Sequence, residues 1–267
     1  MFMKMAVTGL KTVGYKIASM VKEMNDYIEN INLFNASMGG YASEAQGYAE
    51  SVGELMGIDP GEWMRNQGVF MTLATGFGVA SDRAYTMSKN LTQLGYDISS
   101  LFNMSYSDAM LKLQSGLSGE LEPLRRIGYD LSQAKLEATA LSLGIDKSVS
   151  SMTQAEKAQL RYYAIMTQVT QVQGDMARTL DEPANQLRVF KASVSIASRE
   201  IGNVFIPALN AVLPYAIAIT KVIGTLASMI AGLFGYKPAE IEESTTTVVE
   251  NTDAVVYFQK FFASDPL

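Results

Sequence analysis

The sequence predicts an all-α protein in which long amphipathic, coiled-coil-like helices flank a compact domain of short helices, with an apolar helical hairpin near the C-terminus. Two seams of apolar residues at alternating steps of three and four predict the long helices. Glycine residues punctuate the segment between the seams and predict short helices separated by turns. Only 7 of the 267 residues are proline, so little in the composition interrupts long helices.

The first apolar seam runs through the N-terminal 35 residues, which we predict as one long amphipathic helix. Gly9 and Gly14 weaken this helix by about 1 kcal/mol each if they lie in its interior. The seam permits two interpretations, a helix that packs on its neighbours and a strand of a coiled coil, and the sequence does not separate them. Its members are Met3, Ala6, Leu10, Val13, Ile17, Met20, Met24, Tyr27, Ile31 and Phe34.

Residues 36–150 form the predicted compact helical core domain. Gly39 and Gly40 indicate a turn near its start. Asp59 is a good N-cap, Pro60 suits the first helical position, and Glu62 stands where a capping box needs a carboxylate. This helix is expected to end at the Gly76-Phe77-Gly78 run.

Short helices are predicted for the rest of the core domain. One begins at Ser81, and Ser107 is expected to cap another over residues 108–114. A brief helix over residues 120–127 is expected to stop at Gly128, and a helix over residues 131–143 at Gly144.

Residues 151–200 contain the second seam and are predicted as long helices with a break at Pro183. Thr153-Gln154-Ala155-Glu156 is a capping box that starts the first of them. Proline in a helix interior costs about 3 kcal/mol, which favours a break over a continuous helix. The seam members are Ala155, Ala158, Tyr162, Ile165, Val169, Val172 and Met176 before the break, and Leu187, Phe190, Val194, Ala197, Ile201 and Val204 after it.

Residues 201–236 form an apolar helical segment with one charge, Lys221. Twenty such residues can cross a bilayer, so the segment could insert alone or as a hairpin bent near Lys221. Burial or self-association is the alternative, because Pro207, Pro214 and two Asn residues disfavour lipid contact. Small residues at steps of four predict close helix packing: Ala216, Thr220, Gly224, Ser228 and Gly232. Residues 237–267 are predicted as an acidic linker and a short terminal helix.

Composition limits the function classes. A net charge of −6 argues against a general phosphate-backbone binder, so no specific nucleic acid is expected as a partner. The chain has no Cys and no His, which excludes disulfides, Cys/His zinc sites and His-dependent catalysis from these residues. Lys4, Lys11 and Lys16 interrupt the N-terminal apolar residues, so a secretory signal is not expected.

Candidate catalytic patterns are weak. The S-x-x-K runs at residues 19–22 and 132–135 lack the companion motifs of such a site. The carboxylate pairs Glu50/Glu54 and Glu120/Glu122, and the basic pair at residues 125–126, are expected to be solvated surface charges. We therefore predict no enzyme, no catalytic residue, no cofactor and no metal site.

Four runs of residues carry a resemblance to a known family. They are N-Q-G-V-F-M-T-L-A-T-G-F-G-V-A-S-D (66–82), L-T-Q-L-G-Y-D-I-S-S (91–100), K-L-Q-S-G-L-S-G-E-L-E-P-L-R-R-I-G-Y-D (112–130) and M-T-Q-A-E-K-A-Q-L-R-Y (152–162). Over residues 30–235 the chain resembles the core region of phage tail tape measure proteins of the minor-tail type. Members of that family are usually much longer, so the chain is expected to be a fragment or a truncated form.

The resemblance implies a structural virion component whose helical length sets tail length during assembly. It implies tail tube protein and tail assembly chaperones as partners, alongside self-association through the helical seams. The implied location is the tail lumen of the virion, with the host cytoplasm during assembly and the host membrane at ejection, where such proteins assist DNA passage. The alternative function is that of a membrane-inserting or pore-forming helical protein. Some members carry peptidoglycan-cleaving modules, but no such module is recognised in these residues.

Overall fold

The computed structural model describes the backbone of residues 2–233 and the side chains of residues 15–211 except 208 and 209. Every regular element in that part of the chain is helical, which confirms the all-α prediction. The predicted acidic linker and terminal helix, residues 237–267, lie outside the described residues. The helices are α1 (Phe2–Met38), α2 (Ala42–Met56), α3 (Pro60–Gly76), α4 (Ser81–Leu101), α5 (Tyr106–Ser118), α6 (Glu122–Arg125), α7 (Gln133–Ser142), α8 (Gln154–Thr167), α9 (Asp175–Arg178) and α10 (Pro183–Leu233).

The chain divides into two units, which we call the central unit (Glu29–Val194) and the terminal unit (Met1–Ile28 with Ser195–Leu267). In the central unit, α3 and α4 form the most extensive helix contact, and α2, α5 and α9 pack against them. The side chains of Trp63, Phe70 and Tyr96 are fully buried between these helices. Burial of large apolar and aromatic surface is the dominant favourable term for a unit of this size.

Most predicted helix boundaries in the central unit are confirmed. Asp59 caps α3 by accepting a hydrogen bond from the N–H of Gly61 at 2.8 Å, with Pro60 as the first helical residue. The capping box of Thr153 and Glu156 starts α8 with both reciprocal bonds present. α10 begins at Pro183, where the break was expected.

Helix α2 lies within the predicted helical core domain but was not assigned individually, because its small and polar residues give a weak apolar pattern. Two expectations for this unit were wrong. The cap of α5 is Ser105, two residues before Ser107. The helix predicted to run to Met176 ends at Thr167, because Gln168 is extended and Val169 has a φ of +42°, a left-handed conformation that is unusual for a β-branched residue.

In the terminal unit, α1 and α10 pack closely at a glycine. Gly202 is buried, and a Cβ added there would lie 2.7 Å from the carbonyl carbon of Met20 and 3.1 Å from the amide nitrogen of Val21. Ala18, Val21 and Asn25 are the buried residues of α1 beside this contact, while Met20 of the predicted seam is half-buried. Over residues 17–25 the packing face of α1 is therefore displaced by one residue from the predicted seam, whereas the seam member Phe34 is fully buried in the central unit.

The predicted hairpin near Lys221 was wrong. Helix α10 continues without interruption through Lys221 to Leu233. The residues around the proposed bend, Ile219 to Ile223, include neither Gly nor Pro, so nothing in them favours leaving the helical region. Within the described residues, no helix meets the length and hydropathy that a membrane crossing needs.

Candidate functional site

The two S-x-x-K runs have local structural roles. Ser132 is the N-cap of α7, where its hydroxyl oxygen accepts a hydrogen bond from the N–H of Lys135 at 3.4 Å. In the terminal unit, Lys22 pairs with Asp26 at 2.6 Å on the exposed surface of α1. Both arrangements are those of ordinary helix caps and helix-surface ion pairs.

The charged pairs lie on the surface. Glu122 pairs with Arg125 at 3.7 Å and with Arg126 at 3.2 Å, all within α6 and its C-terminal end. Glu50 accepts a hydrogen bond from Gln46 on the exposed face of α2. Exposed pairs of this kind contribute about 0–1 kcal/mol. In the described part of the chain, no cluster of three or more Asp and Glu side chains could hold a metal ion.

The predicted packing ridge lies on one continuous helix. All five predicted residues belong to α10: Ala216, Thr220, Gly224, Ser228 and Gly232. Residues spaced by four form a ridge only if the backbone between them is helical, and α10 meets that condition. Their side chains fall outside the described part of the structure. The ridge therefore stays a prediction.

Four aromatic side chains contact one another in the central unit, and two of them, Trp63 and Tyr96, are fully buried. The rings of Trp63 and Tyr96 stack with centroids 5.5 Å apart, Tyr48 contacts Trp63 at 5.6 Å, and Tyr106 meets the Tyr96 ring edge-on at 4.5 Å. The Trp63 Nε1–H donates to Gln67 Oε1 at 2.9 Å. The cluster joins α2, α3, α4 and α5, and each aromatic pair adds about 0.5–1.5 kcal/mol beyond area burial.

Glu62 lies beside this aromatic cluster. Its burial, followed by the negative charge of Asp59, raises its pKa to about 7, although the positive charge of Arg65 opposes the shift. A carboxyl group with such a pKa can exchange protons near neutral pH, as a general acid or base does. Glu62 lines neither of the two cavities described below, and of its neighbours Tyr96 is fully buried and Tyr106 half-buried.

Asp97 is a buried carboxylate that joins α4 to the start of α9. Only 2% of its surface is exposed, and it accepts hydrogen bonds from the N–H of Gly174 at 2.9 Å and of Met176 at 3.2 Å. Burial raises its pKa above the ordinary value, in spite of these two bonds. A cavity of about 390 Å³ lies next to Asp97 and is lined by Met56, Leu94 and Met166 among others. Because both carboxylate oxygens are engaged by backbone, we interpret Asp97 as a structural cap.

The first turn of α10 is fixed to the end of α4 by a polar cluster. Asn185, buried to 2% exposure, donates to Ser100 Oγ at 3.0 Å and to the Thr179 carbonyl oxygen at 3.0 Å. Arg188 donates to the backbone oxygens of Ser99 at 3.0 Å and Met104 at 3.3 Å. These bonds determine which face of α10 packs inward in the central unit.

The opposite face of α10 carries exposed apolar side chains. In the central unit Leu187, Phe190 and Val194 are 54%, 62% and 52% exposed, and in the terminal unit Ile201 and Val204 are 45% and 75% exposed. These are members of the second predicted seam. The sequence therefore identified the residues, and the structure shows that they are exposed among the described residues.

The larger cavity is a surface groove between α4, α8 and the loop that follows α7. Its volume is about 630 Å³, within the range of pockets that bind ligands. Its apolar lining includes Met87, Leu143, Ile145, Leu160 and Tyr163. The side chains of Leu143 and Ile145 are 40% and 39% exposed. No motif indicated this groove, because its lining comes from three segments distant in sequence.

The edge of the groove carries charges of both signs. Arg83 donates to Gln159 Oε1 at 3.0 Å, and Lys147 pairs with Glu156 at 2.7 Å. The hydrogen bond from Lys147, together with the hydrogen bonds from Thr153, lowers the pKa of Glu156 to about 2. Asp82, in the first turn of α4, has no hydrogen-bond or ion-pair partner for its carboxylate among the described residues. The groove thus presents an apolar floor with charges of both signs at its edge, among them the exposed carboxylate of Asp82.

No family model, no curated protein and no solved structure matches this chain. The resemblance to tail tape measure proteins accordingly stays a prediction from the residues quoted above.

Proposed function

We propose that this chain is a structural protein of phage tail assembly, a tape measure protein or a part of one. The observation that carries the proposal is the long helix α10, which leaves the apolar seam from Leu187 to Val204 uncovered. A helix rises 1.5 Å per residue, so the 51 residues of α10 extend about 77 Å and the 37 residues of α1 about 55 Å. Length that is proportional to residue number is what a molecular ruler requires.

An uncovered heptad seam needs a partner. Apolar residues at positions a and d pack between the side chains of a facing helix, which excludes water from both surfaces. In this proposal the seam of α10 is covered by further copies of the chain or by tail components, with the tail tube protein and assembly chaperones as partners. The interruption of α8 after Thr167 keeps the central unit compact, so it contributes little length. Membrane insertion of residues 201–236 has no separate support among the described residues and stays a prediction.

The test changes the helical length without changing the seam. The segment 187–200 comprises two heptads, so four extra tandem copies inserted in frame keep the register and lengthen α10 by about 84 Å. The insertion is made in a phage that carries the gene, and tails are measured by electron microscopy. We expect tails longer by an increment of that size.

The matched control inserts the same number of Gly and Ser residues between Gly39 and Gly40, two exposed turn residues at which an added Cβ would meet nothing within 4 Å. This control lengthens the chain but not the helix, so tail length should stay unchanged. Tails of equal length in both insertion strains, or virions without the protein, would contradict the proposal. Neighbouring genes for tail tube protein would add independent support.

A further inference from the structure

We propose that the groove of one copy binds the exposed face of α10 from a second copy, so that copies associate head to tail. The binding face is Leu187, Phe190 and Val194 with Lys191 beside them, and its receptor is the groove lined by Leu143, Ile145 and Tyr163. Both surfaces belong to the central unit. The proposal goes beyond a function in tails, since it concerns the chain in solution.

The two surfaces have the same length. The α8 wall of the groove extends from Glu156 to Tyr163, seven helical steps or about 10.5 Å. The segment from Leu187 to Val194 also comprises seven steps, with apolar residues at i, i+3 and i+7. This spacing is that of amphipathic helices that bind in apolar grooves. The aliphatic and aromatic lining matches the chemistry of the three side chains.

The charges are complementary as well. Lys191 lies four residues after Leu187 and three before Val194, so it stands beside the apolar face. Its ammonium group is exposed and has no ion-pair partner among the described residues. Among the described residues, the exposed carboxylate of Asp82 at the groove edge has no ion-pair partner either. An ion pair between Lys191 of one copy and Asp82 of the next would therefore form beside the apolar contact and favour one defined orientation.

A contact between two different surfaces of the same chain is heterologous. A growing assembly keeps a free groove on one terminal copy and a free helix face on the other, so further copies add until a ring closes or a filament grows. Pairing of two identical seams would instead stop at a closed dimer or another closed bundle. The two arrangements make different predictions for mixtures of variants.

The experiment measures the mass of the full chain by sedimentation velocity over a range of concentrations. Phe190→Glu damages the helix face, and Ile145→Glu damages the groove. We expect each variant to weaken association about thirtyfold, the loss that a central interface residue causes. Leu55→Glu is the matched control, because Leu55 is 76% exposed on α2 and lies outside both surfaces. This control should associate as the parent chain does.

Mixing the two damaged variants is the decisive arm. The Phe190→Glu copy retains a groove and the Ile145→Glu copy retains a helix face, so the mixture should form a 1:1 dimer that grows no further. If only Phe190→Glu weakens association, identical seams pair with each other and the proposal is overturned. A mixture that stays monomeric overturns it as well, because the intact groove and the intact helix face then do not bind each other. Unchanged association in both variants also overturns it.

If Ile145→Glu does not fold, an exchange of the charges at positions 82 and 191 tests the same contact, because both positions are on the surface. Asp82→Lys and Lys191→Glu should each weaken association about threefold, and the double variant should restore it. A double variant as weak as the single variants would show that the two charges do not meet. The emission of the buried Trp63 reports folding in every case.

Discussion

Substitution of Asp97 by Ala tests how the central unit holds the segment between α8 and α10. The carboxylate of Asp97 caps the start of α9, where it accepts from the N–H groups of Gly174 and Met176. Ala removes both acceptors and leaves two donors without partners in a buried region. Water can replace them only if the local structure opens.

The magnitude follows from the two lost bonds. A buried donor without an acceptor costs about 1–3 kcal/mol, so the two together cost about 2–6 kcal/mol. Removal of a buried carboxylate recovers part of this, since burial raises the pKa of Asp97 and so disfavours its ionised form. We expect a net loss of about 2–4 kcal/mol for Asp97→Ala. Asp97→Asn retains one acceptor oxygen and should lose about half as much.

The assay is urea unfolding followed by tryptophan fluorescence. Trp63 is the only tryptophan of the chain and is fully buried in the central unit, so its emission reports that unit alone. With an m-value of about 2 kcal/mol/M, the midpoint for Asp97→Ala should fall by about 1–2 M. Asp146→Ala is the control, an exposed acid in a loop, and should shift the midpoint by less than about 0.3 M. Equal midpoints for the Asp97→Ala and Asp146→Ala variants would refute the capping role.

Three further predictions concern single positions. Gly202→Ala should loosen the terminal unit, because the new Cβ overlaps the backbone at Met20, and amide exchange in residues 15–28 should then be faster. The contrasting variant Gly47→Ala, whose new Cβ meets nothing within 4 Å, should stabilise α2 by about 0.5–1 kcal/mol in the urea assay. Equal amide exchange in Gly202→Ala and the parent chain would contradict the close contact. Burial raises the pKa of Glu62 from 4.5 to about 7. The stability that Glu62 contributes is therefore complete below pH 4.5 and falls by as much as about 3 kcal/mol as the pH rises to 7. Glu62→Gln should flatten the measured stability–pH curve over that window, and an unchanged curve would rule out the pKa shift. Thr153→Ala should cost about 1 kcal/mol through the lost cap of α8, and a midpoint equal to that of the parent would show that the cap adds nothing.

Local sequence signals were reliable where a side chain acts on its own backbone. Asp59 with Pro60, and Thr153 with Glu156, start helices where they were expected, because the cap bonds connect residues two or three positions apart. Such bonds depend little on the rest of the chain. The same logic explains the failure at Ser107, since Ser105 can make the equivalent bond and the pattern does not distinguish between them.

Longer patterns were less reliable because distant residues compete with them. The seam from Ala155 continues through Val172 to Met176, yet the helix ends at Thr167. Val172 and Met176 are buried, and the amide N–H of Met176 donates to Asp97 on α4, nearly eighty residues earlier. Burial of the same apolar residues is thus achieved with a broken helix, which periodicity alone does not reveal.

The candidate site divides in the same way. The apolar face of α10 could be read from Leu187, Phe190 and Val194, because positions along one helix are fixed by a period of 3.6 residues. The exposure of this face could not be predicted from the sequence, because it depends on how Asn185 and Arg188 attach the helix to α4. The sequence did not predict the groove for a related reason, because Met87, Ile145 and Tyr163 meet only after three separate segments of the chain have packed together.

The amino-acid sequence by itself determined the helical class, the helix starts at Pro60, Ser81 and Gln154, and the apolar face along α10, because each depends on bonds or periods within one short segment. Only the tertiary structure decided which seam residues are covered, where α8 ends, and that the loop after α7 and the helices α4 and α8 form a groove. Those outcomes depend on contacts between residues far apart in the chain, and their free energies are balanced over the whole packed unit.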